Sequence, residues 1–167
     1  MNYVRLINGA FSTKPTSEWE EPDPIPWQAI MGREGNIYET YDEFMDAEGH
    51  RDWPSIAVYF YRDEWIMGDI EYQQALFEEI YKHQYNPIIF YGQYGSNPRV
   101  GIPNMKLSMN HLFGKDVFPF DVLINTCKFS YQSLGAQTLE ELKLQDVPII
   151  QGYTIYMDEK TWAADPQ

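Results

Sequence analysis

Arg62, Asp63, Glu64 and Asp69 crowd into "FYRDEWIMGD" (Phe60 to Asp69), around Trp65, Met67 and Gly68. Carboxylates grouped in this way can take protons from a substrate or hand over a metal ion. The same residues at a helix start also serve as a cap and as solvated charges favoured by the helix dipole. A second polar set, Asn125, Thr126, Lys128, Ser130 and Gln132, fills "NTCKFSYQS". Its hydroxyls and amides can fix a ligand's orientation, or can simply cap a following helix. A third stretch, "YGQYGSNPRVG", has three glycines and reads first as a long loop, since neither a dinucleotide fingerprint nor a P-loop is present. His50, His83 and His111 lie far apart with no paired-ligand spacing, so a structural zinc site is not expected. No nucleophile elbow of the G-x-S-x-G type occurs, which leaves a serine hydrolase unsupported.

These sets matter only if the chain brings them together. "SIAVYFY", just before Arg62, is an unbroken β-branched and aromatic run, as a strand covered on both faces requires. "IEYQQALFEEIYKHQ" follows with Ile70, Leu76, Phe77, Ile80 and Tyr81 at helical spacing, and Asp69 stands where it can cap that helix. "NPIIFY" and "FDVLINT" read as further strands, with "MKLSMNHLFG" as a helix between them. "TLEELKLQ" reads as a short helix and "VPIIQGYTI" as a fourth strand. Alternation of this kind predicts an α/β fold: a doubly wound, mainly parallel sheet of flavodoxin-like or periplasmic-binding-like type. Ligands of such sheets collect at the carboxyl ends of the strands, where both polar sets are expected.

Residues 1–54 differ. "STKPTSEWEEPDPIPWQ" carries Pro15, Pro22, Pro24 and Pro26, so the segment is expected to be an irregular connector, with a short helix from Tyr41 to Ala47. The α/β domain is expected over residues 55–167.

The totals fix the class of partner. With 12 basic and 25 acidic residues the chain carries −13, which repels nucleic acid and anionic membranes. Hydrophobic residues at 44% supply a core. Cys127 is the sole cysteine, so no intrachain disulfide forms, and a buried inert thiol is expected. The sequence has no apolar run long enough for a membrane span and no secretion-signal pattern at its start, and a cytoplasmic location is the expectation.

Four segments, in order, resemble one family. "PSIAVYFYRDEWIMGD" is similar to the "FYRSHWLAGD" signature of the cobaltochelatase large subunit and of the related magnesium chelatase H subunit. "FPFDVLINTCKFS" resembles the family's "VDAVINLTAFS", and "LQDVPIIQGYTIYMDEKTWAADPQ" its "LDVPVLQAI" and "EEWEASPQGL". "GNIYETYDEFM" is similar to the approach that precedes them. The resemblance implies a piece of a much longer chain that binds a tetrapyrrole and inserts Co2+ or Mg2+ as a substrate. It also implies partner subunits that hydrolyse ATP, and no tightly bound cofactor. Placement at the strand ends, taken with that chemistry, makes Glu64 the expected proton acceptor or metal relay, with Asp63 and Asp69 in support. Arg62 would pair with the ring's carboxylates, and Asn125, Thr126 and Ser130 would line the adjoining wall. Where the family reads Arg-Ser-His, this chain has Arg62, Asp63 and Glu64, a carboxylate in place of an imidazole. A carboxylate does not favour cobalt or another borderline metal as an imidazole does. The competing expectations are a non-catalytic module that holds a small ligand or partner, and a purely structural piece of an assembly.

Overall fold

The computed structural model describes residues 25–93, 96–114, 117–127, 136–152 and 159–164. Its centre is one six-stranded sheet in the order β2-β1-β4-β3-β5-β6. The strands are β1 (Ala29–Met31), β2 (Ile37–Tyr38), β3 (Ser55–Tyr61), β4 (Asn86–Gly92), β5 (Val122–Asn125) and β6 (Ile149–Gln151). β3 pairs in parallel with β4 and β5, and β5 with β6. Counted from β3, this order is 2-1-3-4, the flavodoxin-like winding. β4 is buried at every residue, which is why it is written in apolar and aromatic residues without alternation.

The helices are α1 (Tyr41–Ala47), α2 (Arg62–Met67), α3 (Glu71–Lys82), α4 (Met105–Phe113), α5 (Ala136–Leu144) and α6 (Glu159–Ala164). From β3 the chain winds through α3 to β4 on one side, then back through α4 to β5 on the other. Right-handed crossovers therefore put α3 on one face, and α4 and α5 on the opposite face. Lys106 of α4 and Glu141 of α5 form an ion pair across that second face.

Two expectations change. The proline-rich connector gives way, before residue 54, to sheet: β1 runs antiparallel to β4, and β2 antiparallel to β1. Three residues, Ala29, Ile30 and Met31, are too short a run to show any period, yet all are fully buried. The sheet supplies what the local sequence lacks, namely the β4 edge. Residues 1–24, including Pro15, Pro22 and Pro24, lie outside the described residues.

The second change concerns the acidic turn, which is itself a helix. Arg62 to Met67 form α2, closed by Gly68 at φ 75° in the left-handed region. The Asp69 amide donates to Glu64 O at 2.9 Å, the closing bond of a glycine helix stop. The cap of α3 is then Ile70, with no side-chain cap bond, so Asp69 does not cap that helix. The reason is spacing: Gly68 ends α2 two residues before α3 can begin.

Candidate functional site

Between β3 and β5 the winding reverses, and at their carboxyl ends it leaves the crevice where open α/β sheets hold ligands. β3 delivers α2 there, and β5 delivers Asn125, Thr126 and Cys127. The register Tyr59↔Asn125 brings the two strand ends within two residues of each other. The acidic turn and the Asn-Thr-Cys loop thus share one rim.

They are joined by hydrogen bonds through a residue that neither polar set contains. Glu64 Oε2 accepts from Tyr72 Oη at 2.7 Å and from Gln73 Nε2 at 2.7 Å. Tyr72 Oη also lies 3.0 Å from Thr126 Oγ1. The Thr126 hydroxyl donates to Tyr59 O at 2.9 Å, and the Thr126 amide to the same oxygen at 3.0 Å. Tyr72 and Gln73 stand in the first turn of α3. Gln73 is fully buried, its Oε1 without a hydrogen-bond partner. Sequence reasoning passed over both. The available signal was Gln73 itself: a polar residue in line with Phe77 and Ile80 on the buried stripe of an amphipathic helix.

Thr126 is nearly buried and Asn125 fully so. Asn125 Nδ2 donates to Gln151 Oε1 at 2.9 Å, and the Gln151 amide returns bonds of 3.0 Å to the carbonyls of Asn125 and Cys127. Asn125 therefore clamps β5 to β6 and shapes the wall from behind. Asp63 and Asp69 stay exposed beside α2. Ser130 lies outside the described residues, as do Lys128 and Gln132.

Arg62 departs from its expected role at two of its donors. Its Nε donates to Pro26 O at 2.8 Å and its Nη2 to Ile25 O at 3.0 Å, with the guanidinium 4.5 Å over the Trp27 ring. Because Ala29 pairs with Tyr91 near the end of β4, residues 25–27 run along the carboxyl rim. Carbonyls of this extended segment have no strand partner, and a planar fork satisfies them. Arg62 fastens the rim; its Nε and Nη2 are not open to a substrate carboxylate.

The electrostatics favour neutral forms. Burial pushes the Cys127 thiol up, and the nearby Glu64 carboxylate pushes it further, against opposing hydrogen bonds from Tyr61 and Tyr59. Burial likewise raises Tyr72, with the Thr126 bond opposing and Glu64 adding to the rise. Tyr91 is pushed up to about 12, first by burial, with Arg62 opposing. Its ring stacks on Trp65 at 5.4 Å, so α2 is seated by an aromatic contact. Among the described residues no group of three His, Cys, Asp or Glu side chains converges on a point. Glu64 Oε2 faces two hydrogen-bond donors instead.

Comparisons with known proteins speak to family and fold. The family model described as CobN/Magnesium Chelatase matches residues 1–167. An uncharacterized protein of Methanocaldococcus jannaschii is 34% identical over 146 residues, covering 81% of this chain and 12% of the relative. Among solved structures, the catalytic subunit of cobaltochelatase from Mycobacterium tuberculosis superposes with a TM-score of 0.54 over 90% of this chain. At 18% identity that likeness speaks for the fold, and the chain spans 12% of that subunit. No described helix is long and apolar enough to cross a membrane.

Proposed function

The chain belongs to the CobN/magnesium chelatase family, and from that premise we propose that it forms part of a large chelatase subunit that inserts a divalent metal into a tetrapyrrole. Metal and ring are both substrates here, and partner subunits supply ATP hydrolysis. Two pyrrole protons leave as the metal enters, so the reaction needs an acceptor beside the ring. Glu64 is that acceptor. Its position at the winding reversal, joined through Tyr72 to Thr126, is the observation that carries the reading. Exposed Asp63 and Asp69 pass protons between this carboxylate and solvent. Thr126 forms the wall opposite α2, held from behind by Asn125. Arg62 and Trp27 hold the rim in place.

The test is metal insertion by the complete chelatase, followed by the change in the ring's visible absorption. Glu64→Gln keeps the acceptor atom for Tyr72 and Gln73 but removes the base. Insertion is expected to slow by about 10² or more, the usual worth of a placed general base. Insertion at the parent rate refutes the role of Glu64. A chain that binds the ring yet supports no insertion in any complex favours a binding module instead.

A further inference from the structure

The chain of contacts from Glu64 to Tyr59 has more links than protons. It contains three: Tyr72 Oη to Glu64 Oε2 at 2.7 Å, Tyr72 Oη to Thr126 Oγ1 at 3.0 Å, and Thr126 Oγ1 to Tyr59 O at 2.9 Å. A hydroxyl carries one proton, and a carbonyl or carboxylate oxygen carries none. With Glu64 ionised, Tyr72 and Thr126 hold two protons between them, so one link is empty. Tyr72 donates to the carboxylate, and Thr126 must choose between Tyr72 and the Tyr59 carbonyl. With a proton on Glu64 the count closes. The carboxyl donates to Tyr72, Tyr72 donates to Thr126, and Thr126 donates to Tyr59 O. Gln73 donates to Glu64 Oε2 in either state.

We propose that Tyr72 and Thr126 form a relay that turns round when Glu64 takes up a proton, with Tyr72 as the positioning residue of that base. The step balances. One proton moves from a substrate acid to Glu64 Oε2, the Tyr72 hydroxyl rotates from Glu64 to Thr126, and no bond between heavy atoms changes. The relay ends at a backbone carbonyl, so it stores the proton's gain as a hydrogen bond and does not conduct it further. It rests on the reading of Glu64 as proton acceptor and adds the device that makes acceptance favourable. Among the described residues, the titratable and charged neighbours are Arg62, Asp63 and Asp69 on and after α2, Tyr72 on α3, and Tyr59, Tyr61 and Cys127 from the strand ends. Glu64 has a further contact besides Tyr72 and Gln73. Thr126→Ser, which keeps the hydroxyl, is the control for that contact in reading Thr126→Val.

Thr126→Val tests the relay by sign. The ionised form loses only the bond from Thr126 to Tyr59 O. The protonated form loses that bond and the one from Tyr72 to Thr126 as well. The Glu64 midpoint should therefore fall by roughly half to one pH unit, a three- to tenfold loss of proton affinity for one neutral hydrogen bond. Without a relay, an apolar group beside a carboxyl raises the midpoint by desolvation. The measurement is carbon-13 NMR of the labelled Glu64 carboxyl in the intact chain, assigned by its absence in Glu64→Gln. Thr126→Ser keeps the hydroxyl and should restore the parent midpoint. In the unmodified chain the Tyr72 ring carbon bearing the hydroxyl should shift with the same midpoint as Glu64. A rise or no change in Thr126→Val, or a Tyr72 signal that ignores the Glu64 midpoint, overturns the relay. These readouts need no metal insertion. A relay that behaves as expected, alongside unchanged insertion by Glu64→Gln, would refute the proposed function and leave the relay standing.

Discussion

Glu64→Ala and Glu64→Gln should part company in stability, and the structure says by how much. Glu64 Oε2 accepts bonds of 2.7 Å from Tyr72 and from the fully buried amide of Gln73. In Glu64→Ala, Tyr72 can turn to Thr126, which already lies 3.0 Å away. Gln73 is fully buried, and among the described residues its Nε2 has no acceptor other than Glu64. The loss is one buried donor left unmade, about 1–3 kcal/mol. Glu64→Gln keeps an oxygen that accepts from both residues, so its cost should stay below about 1 kcal/mol. A difference near 2 kcal/mol lowers the thermal midpoint by roughly 4–8 °C in a chain of this size. Urea or thermal unfolding followed by circular dichroism measures it. Adding Gln73→Leu to Glu64→Ala should recover about 1 kcal/mol or more, since Leu suits the stripe beside Phe77 and Ile80 and removes the orphaned amide. Equal stability of the Ala and Gln variants would refute the reasoning, as would a double variant weaker than Glu64→Ala. Either result would mean that the donors at α3 do not depend on the carboxylate.

Two further outcomes follow from buried groups. Cys127 keeps its proton in the folded chain well above the ordinary thiol range, held there chiefly by burial. Above about pH 8.5 the unfolded state gives up this proton while the folded state keeps it, so stability should fall by up to about 1.4 kcal/mol per pH unit. Unfolding curves between pH 8 and 10 should show this slope, and Cys127→Ala should reduce it, leaving the part that raised tyrosines such as Tyr72 and Tyr91 contribute as pH nears 10. Asn86 is a buried hub: its Oδ1 accepts from the His50 amide at 2.8 Å, and its Nδ2 donates to the carbonyls of His50 and Trp53 at 2.8 and 2.9 Å. Asn86→Asp turns that donor into an acceptor facing two carbonyls, so the new carboxyl should bind its proton more tightly folded than unfolded. The destabilisation, roughly 2–4 kcal/mol at pH 7, should ease as pH falls through the raised midpoint. A variant whose deficit relative to the parent is the same at pH 4 and pH 7 would contradict this.

Much of this protein is set by sequence alone. "SIAVYFY" forms β3 over the very residues that read as a strand, and Tyr41–Ala47 is the helix its spacing predicts. Continuous apolar runs and three-four spacings are local properties, and each is decided within a few residues of chain. The order of those runs likewise fixes the winding, because right-handed crossovers leave few arrangements. The family is written there too, in segments whose order is as telling as their content. Tertiary structure decided what local pattern could not encode. β1 is three residues long and becomes strand only because β4 offers an edge. Arg62 had every look of a substrate ligand until residues 25–27 came to lie along its rim. Tyr72 passes for a helix residue until the register of β3 and β5 brings Thr126 within reach of its hydroxyl. In each case a group's partner stands tens of residues away along the chain. A hydrogen bond is a fact about positions in space, and the sheet, not the neighbouring residues, fixes those positions.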